Sequence, residues 1–178
     1  MRTRTNSQPT LSIHFSSRSE EWYTPRDILD RVVAALGAID LDPCSNSHTR
    51  PVVPAARHFT RHDDGLSRPW FGRVFMNPPY GREVKRWVVH LCAEHHAGRV
   101  TAAVALVHAR TDTAWFNLFR DYTLCFVRGR LKFAGRGAGN SAPFPSVLAY
   151  LGPEPTQFAH VFRDIGGIYR RADRLVVV

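Results

Sequence analysis

Apolar residues along the chain fall into helical stripes and short unbroken runs, and together they predict an α/β fold. Stripes at helical spacing cover residues 28–36 and 84–92, and Gly37 and Gly98 follow them as helix-ending residues. Residues 100–107 form an almost unbroken apolar run, as expected of a central strand in a parallel sheet. The pattern therefore predicts two clear helices around at least one strand that is buried on both faces.

Shorter segments predict the remaining elements. Thr24 is expected to cap the first helix, with Pro25 at its first position. A further helix is expected at residues 115–119, and Gly166 with Gly167 indicates a turn. Strands are expected at residues 38–44, 58–60, 74–76, 122–127, 144–151, 158–162 and 175–178.

The domain organisation follows from composition along the chain. Residues 20–178 are predicted to form a single domain. Residues 1–19 hold three arginines and no acid, and they are predicted to be a disordered basic arm. The arm either touches phosphates or is a terminus without function.

Composition and charge narrow the class of protein. Of the 178 residues, 44% are apolar and 22% are charged, which is ordinary for a globular domain. There is no apolar run near 18 residues and no signal-peptide pattern, so a cytoplasmic, unanchored protein is expected. Three scattered cysteines argue against a disulfide framework or a zinc cluster. The formal net charge of +9 favours a polyanionic partner, although a basic solubility surface has the same composition.

One tetrapeptide carries most of the candidate chemistry. It follows the apolar run 74–76, precedes a helix and consists of Asn77, Pro78, Pro79 and Tyr80. At a strand exit, an amide oxygen and a rigidly held carbonyl oxygen can accept both N–H hydrogens of an exocyclic amine. This drives the N6 nitrogen of adenine toward a tetrahedral, nucleophilic shape, and a tyrosine ring offers a face to a flipped base. The alternative is a turn that only reverses the chain, with the tyrosine as a buried anchor.

Two earlier segments carry residues suited to a cofactor pocket. Trp22 and Tyr23 precede the first helix, where they fit a hydrophobic staple and also the wall of a pocket. Asp42 and Pro43 lie at the end of the predicted strand 38–44. An acid in this position either hydrogen-bonds a bound nucleoside or caps the following turn.

Basic residues concentrate in one glycine-rich loop and at one strand exit. The strand exit holds Arg110, and the loop holds Arg128, Arg130, Lys132 and Arg136. Both fit contacts to a phosphate backbone, while a merely solvated loop has the same composition. No metal site is expected, because only His90 and Glu94 share a helix face, which is predicted to be solvated.

Taken in order, these motifs resemble those of the small phage-type DNA N6-adenine methyltransferases, a Dam-like family. The resemblance covers roughly residues 21–151 and depends on the segments 22–25, 39–43, 64–66, 77–81, 109–113, 129–133 and 143–146. It implies an S-adenosylmethionine-dependent enzyme with a Rossmann-like sheet of seven strands, mostly parallel with one antiparallel edge strand. A flipped adenine of double-stranded DNA is then the expected substrate, and no metal is expected because the methyl donor is already activated.

The resemblance assigns residues as well. The tetrapeptide 77–80 becomes the catalytic motif, and the cofactor residues become Trp22, Tyr23, Thr24, Pro25, Asp42, Pro43, Asp64 and Leu66. The glycine-rich first loop that is common in methyltransferases is absent after Asp42, so no acid is assigned to the cofactor ribose. We expect no separate target-recognition domain, and sequence specificity is expected from loops such as 128–143.

Other functions remain open at this stage. Adenine of RNA or a glutamine amide of a protein fits the same tetrapeptide, although the basic composition favours nucleic acid. A non-catalytic nucleic-acid-binding module is a further alternative, against which the intact Asn77 and Tyr80 argue. The sequence predicts neither the recognition sequence, the oligomeric state nor the biological role.

Overall fold

The computed structural model describes residues 22–133 and 142–172, which form a mixed α/β fold with one seven-stranded sheet. The expected basic arm at 1–19, Arg136 and the expected strand at 175–178 lie outside the described residues. The helices are α1 (Arg26–Leu36), α2 (Val84–His96) and α3 (Pro155–Phe162). The strands are β1 (Ile39–Ser45), β2 (Ala55–Thr60), β3 (Gly72–Met76), β4 (Val100–His108), β5 (Thr123–Val127), β6 (Ser146–Leu151) and β7 (Gly166–Tyr169).

The strands lie in the order β2-β1-β3-β4-β6-β5-β7. The first four run parallel to one another, whereas β6 runs antiparallel to both β4 and β5, and β7 runs antiparallel to β5. Strands β1 to β5 thus share one direction. The expected single antiparallel edge strand is corrected to two reversed strands, β7 at the edge and β6 inside the sheet. Antiparallel neighbours such as β5 and β6 need no crossover helix between them.

This topology gathers the candidate residues at one edge of the sheet. The carboxyl ends of β3, β4 and β5 lie there, and they are followed by Asn77, Arg110 and Arg128 respectively. Because β6 is reversed, its first residue, Ser146, lies at the same edge. Ligand-binding groups of open α/β sheets are typically found at the carboxyl ends of the strands.

The sheet is covered on both faces, and each face has its own apolar core. Helices α1 and α3 pack on one face, together with Leu106 of β4 and Leu148 of β6. Helix α2 and the turn at Phe116–Phe119 pack on the other face, with Val107 of β4. Alternation along β4 sends neighbouring residues to opposite cores, which explains why this strand is apolar almost throughout.

Two expectations near the C-terminal end are wrong. Residues 158–162 belong to helix α3, with Pro155 at its start and Phe158 and Phe162 buried one turn apart. Gly166 and Gly167 begin strand β7 rather than a turn. A Cβ atom at Gly166 would overlap the carbonyl oxygen of Phe126, so this glycine permits a close strand contact.

Three further details differ from the sequence prediction. Residues 115–119 hold only a four-residue 3-10 turn at Phe116–Phe119. Pro25, not Thr24, occupies the cap position of α1, and its carbonyl oxygen accepts from the N–H groups of Ile28 and Leu29, each at 3.1 Å. Glu94 is not solvated, because it is buried and paired with Arg99 at 2.6 and 2.9 Å.

Candidate active site

A cavity of about 480 Å³ opens at the carboxyl ends of β1, β2 and β3, and its volume lies within the usual range for small-molecule sites. All four tetrapeptide residues and all but one of the expected cofactor residues line it; they are Trp22, Tyr23, Thr24, Asp42, Pro43, Asp64, Leu66, Asn77, Pro78, Pro79 and Tyr80. Pro25 is not on this wall. Arg61, Glu83, Arg86 and Trp87 also line the cavity, and no motif in the sequence marked them.

The side chain of Asn77 is held in one orientation by the segment before α1. Its Nδ2 donates to the carbonyl oxygen of Trp22 at 2.9 Å and to Thr24 Oγ1 at 3.1 Å. A carbonyl oxygen only accepts hydrogen bonds, so the amide nitrogen must face Trp22. The other amide atom, Oδ1, is buried and has no hydrogen-bond partner among the described residues. The site therefore presents an oriented, unused acceptor.

Tyr80 belongs to a group of rings that the sequence did not place together. Its ring lies edge-on to Phe144, His108 and Phe133, with centroid separations of 4.8, 5.6 and 6.1 Å. Trp22 lies edge-on to Phe133 and Phe144 on the same side, at 5.5 and 6.1 Å. These five residues are called the aromatic cluster below. Burial raises the pKa of the Tyr80 hydroxyl well above its usual value, so this group stays protonated.

Asp42 is a buried carboxyl group on the cavity wall. Its side chain is almost fully buried, and Oδ1 accepts a hydrogen bond from the backbone N–H of Cys44 at 3.0 Å. Burial raises the pKa of this carboxyl to about 6. No cationic side chain of the described residues forms an ion pair with it. At neutral pH, Asp42 is thus mostly ionised on the cavity wall, held by hydrogen bonds from Cys44 and Ser45 rather than by an ion pair.

A turn that is stabilised by hydrogen bonds of Asp63 forms another part of the cavity wall. Asp63 Oδ2 accepts from the N–H and the hydroxyl of Thr60, each at 2.7 Å, and these bonds are the main cause of its pKa of about 2. Asp64 follows with φ of 49°, the one described non-glycine residue with positive φ. Gly65 then packs so tightly that a Cβ atom would overlap the carbonyl oxygen of Pro43. The rim that carries Asp64 and Leu66 is therefore rigidly built.

The basic residues lie outside the cavity. Arg110 is exposed and pairs with Asp112 at 3.1 Å. Arg128, Arg130 and Lys132 are exposed as well, and none of them has an ion-pair partner within the described residues. These residues share the sheet edge with Asn77 but not the cavity wall, so they are available to a large partner rather than to a small ligand.

Comparison with known protein families identifies the family of this chain. A sequence model of the family described as DNA N-6-adenine-methyltransferase (Dam) matches residues 12–149. The chain belongs to the Dam family. The Dam-like resemblance seen in the sequence is thereby confirmed, and family membership points to DNA adenine methyltransferase activity. Comparison with curated proteins finds no match.

The described residues of this Dam-family chain contain neither a cluster of metal ligands nor a membrane-spanning helix. Within residues 22–133 and 142–172, no three His, Cys, Asp or Glu side chains come together as a metal site. In the same residues, no helix has the length and apolar character needed to cross a membrane. Asn77 lines the cavity together with Trp22 and Tyr80, which also belong to the aromatic cluster.

Proposed function

We propose that the chain is an S-adenosylmethionine-dependent methyltransferase that modifies the N6 amine of an adenine flipped out of double-stranded DNA. Membership of the Dam family supports methyl transfer to DNA adenine. The observation that carries the mechanism is the orientation of Asn77, which leaves a buried, unpartnered amide oxygen beside a ligand-sized cavity. The order of the parallel strands and the cavity at their carboxyl ends support a Rossmann-like arrangement.

The cavity wall fits the proposed cofactor. S-adenosylmethionine supplies a methyl group that is already activated by attachment to a positively charged sulfur. Such a cation suits a cavity whose buried acid, Asp42, forms no ion pair among the described residues. We assign its binding to Trp22, Tyr23, Thr24, Asp42, Pro43, Asp64 and Leu66, with Pro25 supporting the start of α1.

Asn77 and Pro78 act on the substrate amine. The Oδ1 atom of Asn77 accepts one N–H hydrogen, and the carbonyl oxygen of Pro78 accepts the other. Because both prolines fix φ and the Asn77 amide is already bonded to Trp22 and Thr24, little reorganisation is needed when the base arrives. Pro79 keeps the tetrapeptide rigid, and Tyr80 packs against the base.

The basic residues at the same sheet edge are proposed to hold the DNA backbone. Arg110, Arg128, Arg130 and Lys132 are exposed beside the site, and Arg136 belongs to the same loop in the sequence. Exposed arginines position nucleic acid through its phosphates without reading its sequence. Recognition of a particular site is left to loop contacts with base edges.

The test is a methylation assay with radiolabelled S-adenosylmethionine on plasmid DNA, total RNA and glutamine-containing peptides. We expect N6-methyladenine in the DNA digest, and label that enters only RNA or peptide would assign the chain to one of the other substrates. Asn77→Ala should lower turnover by on the order of 10²–10³-fold, as expected when one transition-state hydrogen bond is removed, while cofactor binding persists. The matched control is Asn117→Ala, which removes an exposed amide far from the cavity. An unchanged turnover in Asn77→Ala would refute its role.

A further inference from the structure

Exposed cations without an ion-pair partner gather at the edge of the sheet that holds the cavity. The loops after β1, β2, β3 and β5 all lie at this edge, because these strands share one direction. The loop after β5 supplies Arg128, Arg130 and Lys132. Further exposed cations at this edge, which no sequence motif marked, also form no ion pair among the described residues; they are Arg50, Arg61, Arg82 and Lys85. These last residues are called the second basic surface below.

Cations at the opposite edge of the sheet are mostly paired. Arg73 at the start of β3 pairs with Asp40 at 2.9 Å, and Arg99 before β4 pairs with Glu94 at 2.6 Å. Arg170, which follows β7, is an exception. The two edges therefore differ in how much of their positive charge is already compensated.

Acids beside the second basic surface are largely engaged by other groups. Asp63 is held by His48 at 2.7 Å, and Glu83 pairs with Arg86 at 2.7 Å. Asp64 is exposed at the same edge, but it is a single charge beside several cations. Like charges that gather without partners repel one another and cost stability, so their concentration at one edge indicates a polyanionic partner there.

Arg50 and Arg61 lie on the β2 side of the cavity. Arg61 directly follows β2 and lines the cavity. The N–H of Arg50 donates to Ser47 Oγ at 3.1 Å, and the neighbouring His48 is bonded to the turn after β2. These bonds keep this part of the loop at the carboxyl ends of the strands.

Arg82 and Lys85 lie next to the tetrapeptide. Arg82 comes two residues after Tyr80, and Lys85 is in the first turn of α2. Gly81 between Tyr80 and Arg82 has φ of 133°, and no heavy atom lies within 4 Å of where its Cβ would be. The chain is therefore open to a partner at this point.

The strand order gives the width of this basic edge. The ends of β2 and β5 are five positions apart in the sheet, which is about 24 Å at a spacing of about 4.8 Å. Strand β3, which precedes Asn77, lies between them, about 10 Å from β2 and about 14 Å from β5. Base pairs rise by about 3.4 Å each, so about seven of them span the edge. Unpaired cations thus flank the position of the target base on both sides.

We propose that double-stranded DNA lies across the carboxyl ends of the strands and is held on both sides of the flipped adenine. The second basic surface contacts phosphates on the β2 side, and the loop after β5 contacts them on the other side. This inference rests on the proposed function. Flipping a base costs unstacking energy, and phosphate contacts on both sides hold the flanking duplex in place while the base is out of the stack.

The first experiment measures the salt dependence of DNA binding. The methylation site is mapped on plasmid DNA, and a labelled duplex that contains it is titrated by fluorescence anisotropy. Wild type is compared with two double variants, Arg50→Gln with Arg61→Gln and Arg82→Gln with Lys85→Gln. The matched control is Arg120→Gln with Arg170→Gln, which removes two exposed arginines at the opposite edge.

Both double variants should have a shallower slope of log affinity against log salt concentration, by about 0.9 for each phosphate contact that is lost. The control should keep the wild-type slope, and so should Arg50→Lys with Arg61→Lys, because a lysine still neutralises a phosphate. Affinity for S-adenosylmethionine should be the same in every variant. This readout separates a phosphate contact of Arg61 from a cofactor contact on the cavity wall.

The second experiment locates the contacts along the DNA. Two shorter duplexes each extend from the target adenine on one side only. Arg50→Gln with Arg61→Gln should weaken binding to one of them, and neutralising the loop after β5 should weaken binding to the other. Loss of affinity for the same short duplex would place both sets of cations on one side and overturn the proposal.

Unchanged slopes in both double variants, or an equal change in the control, would also overturn the proposal. A weaker affinity for S-adenosylmethionine with an unchanged slope would assign Arg61 to the cofactor instead. If wild type methylates DNA and any of these results is found, only this inference fails. If wild type methylates no DNA, the proposed function fails as well.

Discussion

Replacing Asp42 with asparagine should stabilise the unliganded protein, because a buried charge that suits a ligand costs stability when the ligand is absent. The carboxyl has a pKa of about 6 in the folded protein against an ordinary value of 3.8. Its burial therefore costs about 3 kcal/mol of folding free energy at pH 7. Asparagine is neutral, and its Oδ1 still accepts from the N–H of Cys44. For a chain of this size the gain corresponds to roughly 6–12 °C in melting temperature.

The sign of the pH dependence follows from the raised pKa of Asp42. The folded state binds this proton more tightly than the unfolded chain does, so the free energy of unfolding falls as pH rises from about 4 to about 6. Asp42→Asn should match wild type near pH 4 and exceed it by about 3 kcal/mol at pH 7. Urea denaturation at several pH values measures this difference.

Asp40 provides a control of opposite sign on the same strand. It pairs with Arg73 at 2.9 Å, and that partner lowers its pKa below the ordinary value. Asp40→Asn should therefore lose stability at neutral pH, and the loss should disappear in acid as the wild-type carboxyl is protonated. A difference between Asp42→Asn and wild type that does not vary with pH would refute the argument.

The same substitution separates charge from shape in ligand binding. A buried carboxylate that faces a cation is worth about 1.5–3 kcal/mol, so Asp42→Asn should weaken S-adenosylmethionine binding by roughly ten- to a hundredfold. Methylthioadenosine lacks the cationic groups and should bind both proteins alike. In wild type, affinity for the cation should fall below about pH 6 as Asp42 becomes protonated. Equal weakening of both ligands would exclude a charge effect.

Three other variants test the remaining parts of the structure. The first variant neutralises the described basic residues of the loop, which are Arg128, Arg130 and Lys132. The slope of log DNA affinity against log salt concentration should become shallower by about 0.9 for each phosphate contact that is lost. An unchanged slope would show that these residues do not contact phosphates. Gly65→Ala should lower the free energy of unfolding by about 1–3 kcal/mol because its Cβ overlaps the Pro43 carbonyl oxygen. Glu94→Gln should lower the free energy of unfolding by less, because the glutamine oxygen still accepts one hydrogen bond from the exposed Arg99 while the second bond and the charge attraction are lost. Urea denaturation measures both losses.

Much of the site was predictable because its pieces are local in sequence. Asp42 and Asn77 each follow an apolar run, and the exits of parallel strands meet at one edge of a sheet. Gly37 ends α1 as its position after an apolar stripe predicted. Strand direction and spacing placed Asp42 and the tetrapeptide at this end of the sheet, whereas Asp64 and Leu66 were named only through the family resemblance.

The errors in the fold concern residues whose role is set by distant partners. Phe158 and Phe162 belong to residue types with strand propensity, yet both pack under the sheet from a helix that Pro155 begins. Gly166 suits a turn by composition, but its lack of a side chain is used for contact with Phe126 of β5. In both places tertiary packing overrides the local preference.

The most informative error concerns Thr24. A hydroxyl before a helix is a good cap by local rules, but here it accepts a hydrogen bond from Asn77, 53 residues away. That bond and the one to the Trp22 carbonyl oxygen decide which atom of the Asn77 amide remains free. A sequence motif specifies that an amide is present, but it cannot specify which end of the amide faces the substrate. The catalytic unit proposed for this protein therefore includes the backbone and hydroxyl of residues 22–24 as well as the tetrapeptide, because without them the Asn77 oxygen has no fixed direction.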